Sequence, residues 1–192
     1  MSDALPKKRS LASLWLMIAM VAAPVTASYL IYYFWPPGRT VNYGELIEPR
    51  PLPDPQLALA DGVAFRLSQL KGKWVLASLD SGRCDERCER KLLYMRQLRL
   101  TQGKEMERVE RAWLITDGIP PRADAVAPHA GTWLVRAAGS GLLERFPAPA
   151  APTEHIYLID PLGNLMMRFP RDPEPARMIK DLSRLLKASR IG

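Results

Sequence analysis

Residues 71–88 read KGKWVLASLDSGRCDERC, and this stretch decides the fold. Lys71-Gly72-Lys73 is a turn. Trp74-Val75-Leu76-Ala77-Ser78-Leu79 is a nearly continuous apolar run, the pattern of a central strand buried on both faces. Two cysteines, Cys84 and Cys88, follow at once. From residue 84 to 100, Leu92, Leu93, Met95, Leu98 and Leu100 recur at three- and four-residue spacings that predict a helix with one apolar face, which Gly103 stops.

Working outward, residues 57–59 and 63–67 flank an Asp61-Gly62 turn and predict a hairpin. Residues 109–116 predict a second strand through Ala112-Trp113-Leu114-Ile115, followed by a loop from Asp117 to Arg122 that carries Gly118, Pro120 and Pro121. Ile156-Tyr157-Leu158-Ile159 predicts a third strand, turned by Asp160-Pro161-Leu162-Gly163-Asn164 into a partner at 165–169. A terminal helix over 175–188 lines up Met178, Ile179, Leu182, Leu185 and Leu186. The order strand, helix, strand, loop, hairpin, helix predicts an α/β layer built around parallel βαβ connections.

The chain has 192 residues, 47% hydrophobic and 24% charged, which is an ordinary globular composition. Two cysteines and two histidines exclude a multi-bridge secreted scaffold and a four-thiolate zinc site. The net charge of +7 falls to +5 once residues 1–35 are set aside, a modest excess without a basic stripe interleaved with aromatics, so nothing points to nucleic acid. No Gly-rich phosphate loop, Ser/His/Asp set or paired-carboxylate pattern is present.

Residues 11–35 carry no formal charge, and at about 1.5 Å per residue they exceed the roughly 30 Å hydrocarbon core. Residues 1–10 are then a cytoplasmic tail, with Lys7-Lys8-Arg9 held inside by the positive-inside rule, and 11–35 is a single transmembrane helix. Tyr29, Tyr32, Tyr33 and Trp35 form an aromatic belt at its outer end. The alternative is a cleaved signal peptide at Val25-Thr26-Ala27, against which the apolar run continues well past that point. Residues 36–55 hold six prolines and read as an extended linker with room for a short strand, and 56–192 reads as the exported domain.

Cys84-Asp85-Glu86-Arg87-Cys88 is the motif with chemistry in it. Thiols at i and i+4 project from one side of a helix, and a helix N-terminus favours thiolate over thiol. Arg83 and Arg87 favour thiolate as well, and Asp85 and Glu86 oppose it. Two soft thiolates this close can hold Cu(I) or close a disulfide in electron exchange. A purely structural disulfide is the third possibility, though a bridge across a five-residue loop constrains little of the unfolded chain.

Residues 71–88 resemble the strand-to-helix motif of the SCO/SenC family. Trp113-Leu114-Ile115-Thr116-Asp117 is similar to that family's second strand and its acidic end, and Tyr157-Leu158-Ile159-Asp160-Pro161-Leu162-Gly163 is similar to its YLxDPxG hairpin. The resemblance implies a membrane-anchored thioredoxin-like fold on a cytoplasmic (inner) membrane, with the C-terminal domain in the periplasm. It implies Cu(I) held by Cys84 and Cys88 for delivery to the binuclear copper centre of cytochrome c oxidase, so its partners are that oxidase subunit and a copper chaperone or thiol reductant.

Family members add a histidine eight residues before the hairpin's Asp, but here that position is Pro152, and His155 lies five before Asp160. On a regular strand this offset of three residues puts His155 on the opposite face, and a bulge across 152–154 would restore it. His129 lies in a loop. Asp85 and Glu89 stand where the family has prolines flanking the cysteines. An alternative function keeps the oxidase's copper-ligand cysteines reduced as a thiol-disulfide oxidoreductase, with a more exposed Cys84 attacking and Cys88 resolving. A non-catalytic, membrane-tethered thioredoxin-like interaction module is the remaining one.

Overall fold

The computed structural model describes residues 11–34, 42–189 and 191. Lys7-Lys8-Arg9, Trp35 and the first part of the linker lie outside the described residues. The chain divides into two units, Met1–Val41 and Asn42–Gly192. In the first, helix α1 spans Leu11–Phe34, long and apolar enough to cross a membrane, with none of its residues buried. Pro24 lacks the N–H its turn requires, and Thr26 Oγ1 back-bonds to the carbonyls of Ala22 and Ala23, each at 3.0 Å.

The second unit is a mixed sheet. Its strands are β1 (Glu45–Pro51), β2 (Leu57–Leu59), β3 (Ala64–Phe65), β4 (Trp74–Asp80), β5 (Val109–Ile115), β6 (Thr132–Arg136), β7 (Ile156–Ile159) and β8 (Asn164–Arg168). Its helices are α2 (Glu86–Leu100), the single turn α3 (Ala123–Val126) and α4 (Pro175–Ala188). The spatial order is β1-β8-β7-β4-β5-β6-β2-β3, with β4, β5 and β6 parallel and every other pairing antiparallel. The central strand is β4, buried along its whole length, as its apolar run requires.

Alternation along β4 and β5 sorts the core into two layers. Trp74 and Leu76 face α2 and α4 together with Val109, Trp113 and Ile115, while Val75, Ala77 and Leu79 face Phe65, Leu142, Phe146 and Tyr157. The second layer is closed by loop segments and short 3-10 turns, including Leu67–Leu70 and Leu143–Arg145.

Several expectations are corrected. The loop over 117–122 stands as predicted, but the stretch beyond it, for which the sequence predicts no element before the hairpin, contains α3, a 3-10 turn over Ala127–His129, and β6, the third parallel strand, which only its pairing with β5 makes plain. The globular unit begins at residue 42, well before 56, because β1 from the proline-rich linker pairs with β8. Its prolines, Pro49 and Pro51, sit on an edge strand, where a missing donor costs least. In α2 the buried stripe is Cys88, Lys91, Leu92, Met95 and Leu98, and Leu93 and Leu100 are exposed.

The entry of the chain into this unit is tied to α4 by a side chain that periodicity does not reveal. Asp181, buried among the apolar residues of α4, accepts the N–H groups of Tyr43 at 2.6 Å and Gly44 at 2.8 Å. Asp181→Ala strands both donors in the interior and is expected to lower the unfolding free energy by about 2 kcal/mol in urea denaturation, with Asp181→Asn costing less.

Candidate functional site

The site lies where β4 ends. Trp113 Nε1 (3.3 Å) and the N–H of Thr116 (3.0 Å) both donate to the Asp80 carbonyl, so β5 holds the last residue of β4 in place. The chain then turns through Ser81-Gly82-Arg83. The N–H of Cys84 donates to the Ser81 carbonyl at 3.0 Å, and Cys84 takes a left-handed backbone with φ of 47°, uncommon for a residue with a side chain. Asp85 is the N-cap of α2, its Oδ1 accepting the Cys88 N–H at 2.9 Å.

Cys84 and Cys88 are joined in a disulfide with their Cα atoms 5.0 Å apart. The close approach expected at i, i+4 is real, but its cause differs from the expectation. Cys84 lies outside the helix, and the sharp turn before Asp85 brings its sulfur to Cys88. One of the N-terminal amides counted on to favour a thiolate is spent on the Asp85 carboxylate. Nor is Cys84 the exposed member of the pair, since both cysteines are buried, at 2% and 1% exposure.

The loop is clamped from β5. Asp117, two residues beyond the strand, accepts the N–H of Gly82 at 3.0 Å and that of Ile119 at 3.1 Å. A hydrogen bond from the Ser81 hydroxyl, with those backbone amides, holds its carboxyl below the usual carboxylate range. Gly82 is required at this point because a Cβ there would run into the Ile119 carbonyl. Asp117 is thus a positioning residue for the cysteine loop.

Beneath the disulfide is a buried ion pair. Lys91 Nζ lies 2.8 Å from Asp80 Oδ2, and the two side chains are 4% and 8% exposed. The same ammonium donates to the carbonyls of Leu79 and Thr153. Burial pushes the Asp80 carboxyl up to about 6 against the pull of Lys91, and burial pushes the Lys91 ammonium down. Lys91 is three residues from Cys88, on the same side of α2. Sequence reasoning passes over Asp80 and counts Lys91 only within the basic run Arg87, Arg90, Lys91, Arg96 and Arg99, read as a solvated or docking helix face, whereas Lys91 is buried; the signals are an Asp closing an apolar strand and a Lys inside the apolar repeat of α2.

The turn Pro152–Glu154 stands against the end of β4 and is tied to α2 twice, through Lys91 to the Thr153 carbonyl and through Arg87 Nη1 to Glu154 Oε1 at 3.1 Å. His155 follows it, opposite the end of β4, since Ser78 pairs with Ile156. Its Nδ1 is 2.8 Å from the Phe169 carbonyl, which only accepts, so Nδ1 carries the proton and the neutral ring keeps its lone pair on Nε2. The ring packs edge-on against Tyr157, on the sheet face away from α2. Among the described residues no three His, Cys, Asp or Glu side chains converge in a metal-holding group, so His155 does not join the cysteines here.

His129 is remote. It precedes β6 beside Arg111, where the parallel strands begin, whereas the cysteines lie where β4 ends. Burial and the neighbouring Arg111 cation lower its basicity. Met167 is core and Met166 half-buried, as opposite-facing neighbours on a strand should be.

This is a thioredoxin-like architecture, with a cysteine pair between the central strand and the helix that follows. The chain belongs to the family described as "transmembrane-like, thioredoxin-like, C-terminal domain", which matches residues 74–189. Solved structures similar in fold include copper-bound ScoI of Bradyrhizobium japonicum, at 19% identity and TM-score 0.57, covering 70% of this chain and 99% of that one. Copper-bound yeast Sco1 has 15% identity and TM-score 0.61, covering 74% and 96% of the two chains. The thioredoxin domain of a thiol-disulfide oxidoreductase from Bacteroides vulgatus has 17% identity and TM-score 0.54, covering 74% and 99%. No curated protein matches the sequence.

Two outcomes are expected of the buried pair. Lys91→Met leaves the Asp80 charge uncompensated and lowers stability by about 3 kcal/mol at pH 8, by less at pH 5 where Asp80 protonates, and the Asp80→Asn/Lys91→Met double variant recovers most of it. In the wild type the folded state binds the Asp80 proton more tightly than the unfolded chain. That contribution is complete below about pH 4 and is lost as pH rises through about 6, which urea titrations at several pH values read directly.

Proposed function

We propose that this chain is a membrane-anchored, SCO-like assembly factor for cytochrome c oxidase. Reduced Cys84 and Cys88 take Cu(I) as cargo and pass it to the oxidase's binuclear copper centre. The supporting observation is a C-x3-C pair closed on itself at the end of the central strand, on the fold of proteins solved with copper bound. The donor set suits the cargo. Two-electron reduction converts the disulfide into two adjacent sulfur donors, which Cu(I) prefers, and the Nε2 lone pair of His155 is the nitrogen for a third bond once the 152–155 segment swings toward the cysteines. Helix α1 holds the domain at the membrane, with the C-terminal unit in the periplasm and Lys7-Lys8-Arg9 in the cytoplasm.

The second reading is thiol-disulfide exchange, in which the pair keeps the oxidase's own copper-ligand cysteines reduced. It is favoured by the disulfide itself and by the Asp80–Lys91 pair behind it, a carboxyl that titrates near pH 6. The fold neighbours include oxidoreductases as well.

An anaerobic Cu(I) titration of the reduced full-length chain in detergent, against a competing chromogenic chelator, separates the two. The copper reading expects one tight equivalent that the Cys84→Ser/Cys88→Ser variant loses, and His155→Ala weakens binding more than tenfold, about 1.4 kcal/mol. Binding no tighter than that of the double-serine variant removes the cargo role and leaves exchange.

A further inference from the structure

A cleft of about 110 Å³ lies between the first turns of α2, the helix that carries Cys88, and the segment leading into α4, walled by Arg87, Arg90 and Tyr94 on one side and Arg171, Asp172 and Pro173 on the other. Lys91 forms its floor and is committed to Asp80. Three guanidiniums therefore face one opening, with side chains 37%, 48% and 53% exposed for Arg87, Arg90 and Arg171. Arg87 precedes Cys88 in the chain, and Lys91 lies one helical turn beyond it. Whatever fills the cleft is held against the first turns of the helix that carries Cys88.

The chain itself shows what two of these guanidiniums accept. A single carboxylate oxygen, Glu154 Oε1, lies 3.1 Å from Arg87 Nη1 and 3.4 Å from Arg171 Nε. Each guanidinium spends one nitrogen on it, out of five N–H donors apiece, and such half-exposed pairs are weak and exchangeable. Among the described residues Arg90 is paired only with Glu86, at 3.4 Å along the helix surface, and that side chain is 91% exposed. Glu154 therefore occupies the arginine cluster as an internal stand-in.

We infer that this cleft is a carboxylate-recognition site for an acidic segment of the protein partner whose sulfurs exchange with Cys84–Cys88. The partner's Asp or Glu replaces Glu154 between Arg87 and Arg171 and takes the bidentate geometry the forked guanidinium favours. Displacing Glu154 also breaks one of the two ties between α2 and the turn in front of His155, the Lys91 bond to the Thr153 carbonyl remaining, so docking loosens the 152–155 segment. The inference rests on the exchange reading above and adds the partner's chemistry to it.

The test uses the oxidised full-length chain in non-ionic detergent with two small thiols, 3-mercaptopropionate (anionic) and cysteamine (cationic). In each case a thiolate attacks one sulfur, forming a mixed disulfide and expelling the other as thiolate. A second thiolate then releases the small-molecule disulfide, and the protein gains two electrons. Acid quenching and maleimide labelling read the rate. The observable is the ratio of the mercaptopropionate rate to the cysteamine rate, each corrected for its thiolate fraction, so that changes in the disulfide's own reactivity cancel.

Arg87→Gln/Arg171→Gln is expected to lower the ratio at least fivefold, Glu154→Gln to raise it, and 0.5 M salt to abolish the difference among variants. Arg90→Gln, outside the Glu154 contacts, lowers the ratio less and serves if the double variant does not fold. An unchanged ratio in the arginine variants, or a fall in Glu154→Gln, overturns the proposal. Failure of both thiols to reduce the wild type overturns it together with the exchange reading, while Cu(I) binding by a chemically pre-reduced chain tests the copper reading independently.

Discussion

The contact between the Lys91 ammonium and the Asp80 carboxylate joins everything that makes this site. Asp80 is the last residue of the central strand, Lys91 lies in the buried stripe of the helix that follows, and the ammonium also reaches the Thr153 carbonyl. Strand, cysteine-bearing helix and the turn in front of His155 thus meet on one charged group. Two charges taken out of water repay their desolvation only with good geometry and satisfied neighbours, so the pair contributes position more than stability. Asp80 precedes Cys84 by four residues and Lys91 follows Cys88 by three, so the pair ties together the two ends of the cysteine loop.

Around that pair the loop is over-determined. Asp117 and the Ile119 carbonyl press on Gly82, Asp85 caps the helix, and Cys84 is held in a left-handed backbone. A loop held this firmly presents two sulfurs in one geometry while burying both. On the proposed docking, a partner approaches by the neighbouring surface, where Arg87, Arg90 and Arg171 line the cleft. Both proposed functions share this need, since each requires a partner's sulfurs to come alongside Cys84 and Cys88.

Much of the fold is legible in the sequence because apolar periodicity reports which side of an element faces a core. The run at 74–79, the hairpin turned by Asp160-Pro161-Leu162-Gly163-Asn164 and the terminal helix all stand where their patterns put them. Strand β6 escapes such a reading because five residues with a single buried side chain carry too weak a pattern, and its identity comes from parallel pairing with β5. Leu93 and Leu100 are misplaced by periodicity for a related reason: a count of apolar residues on α2 ranks leucine above Lys91, although the lysine holds the inward position. Polar residues in buried stripes are invisible to a hydrophobicity count.

What the sequence determined by itself is local: a span apolar enough for a membrane, a buried strand running into a cysteine pair and a helix, and two sulfurs too close in the chain to act separately. Backbone propensity and side-chain spacing suffice for each, since every one depends on residues within about twenty positions of one another. The tertiary structure decided the partnerships. Asp80 with Lys91, Glu154 with Arg87 and Arg171, Asp117 with Gly82, and Asp181 with Tyr43 and Gly44 join distant segments or different elements. A charge or amide taken from water must find its complement wherever the fold brings one, and no spacing along the chain encodes where that is.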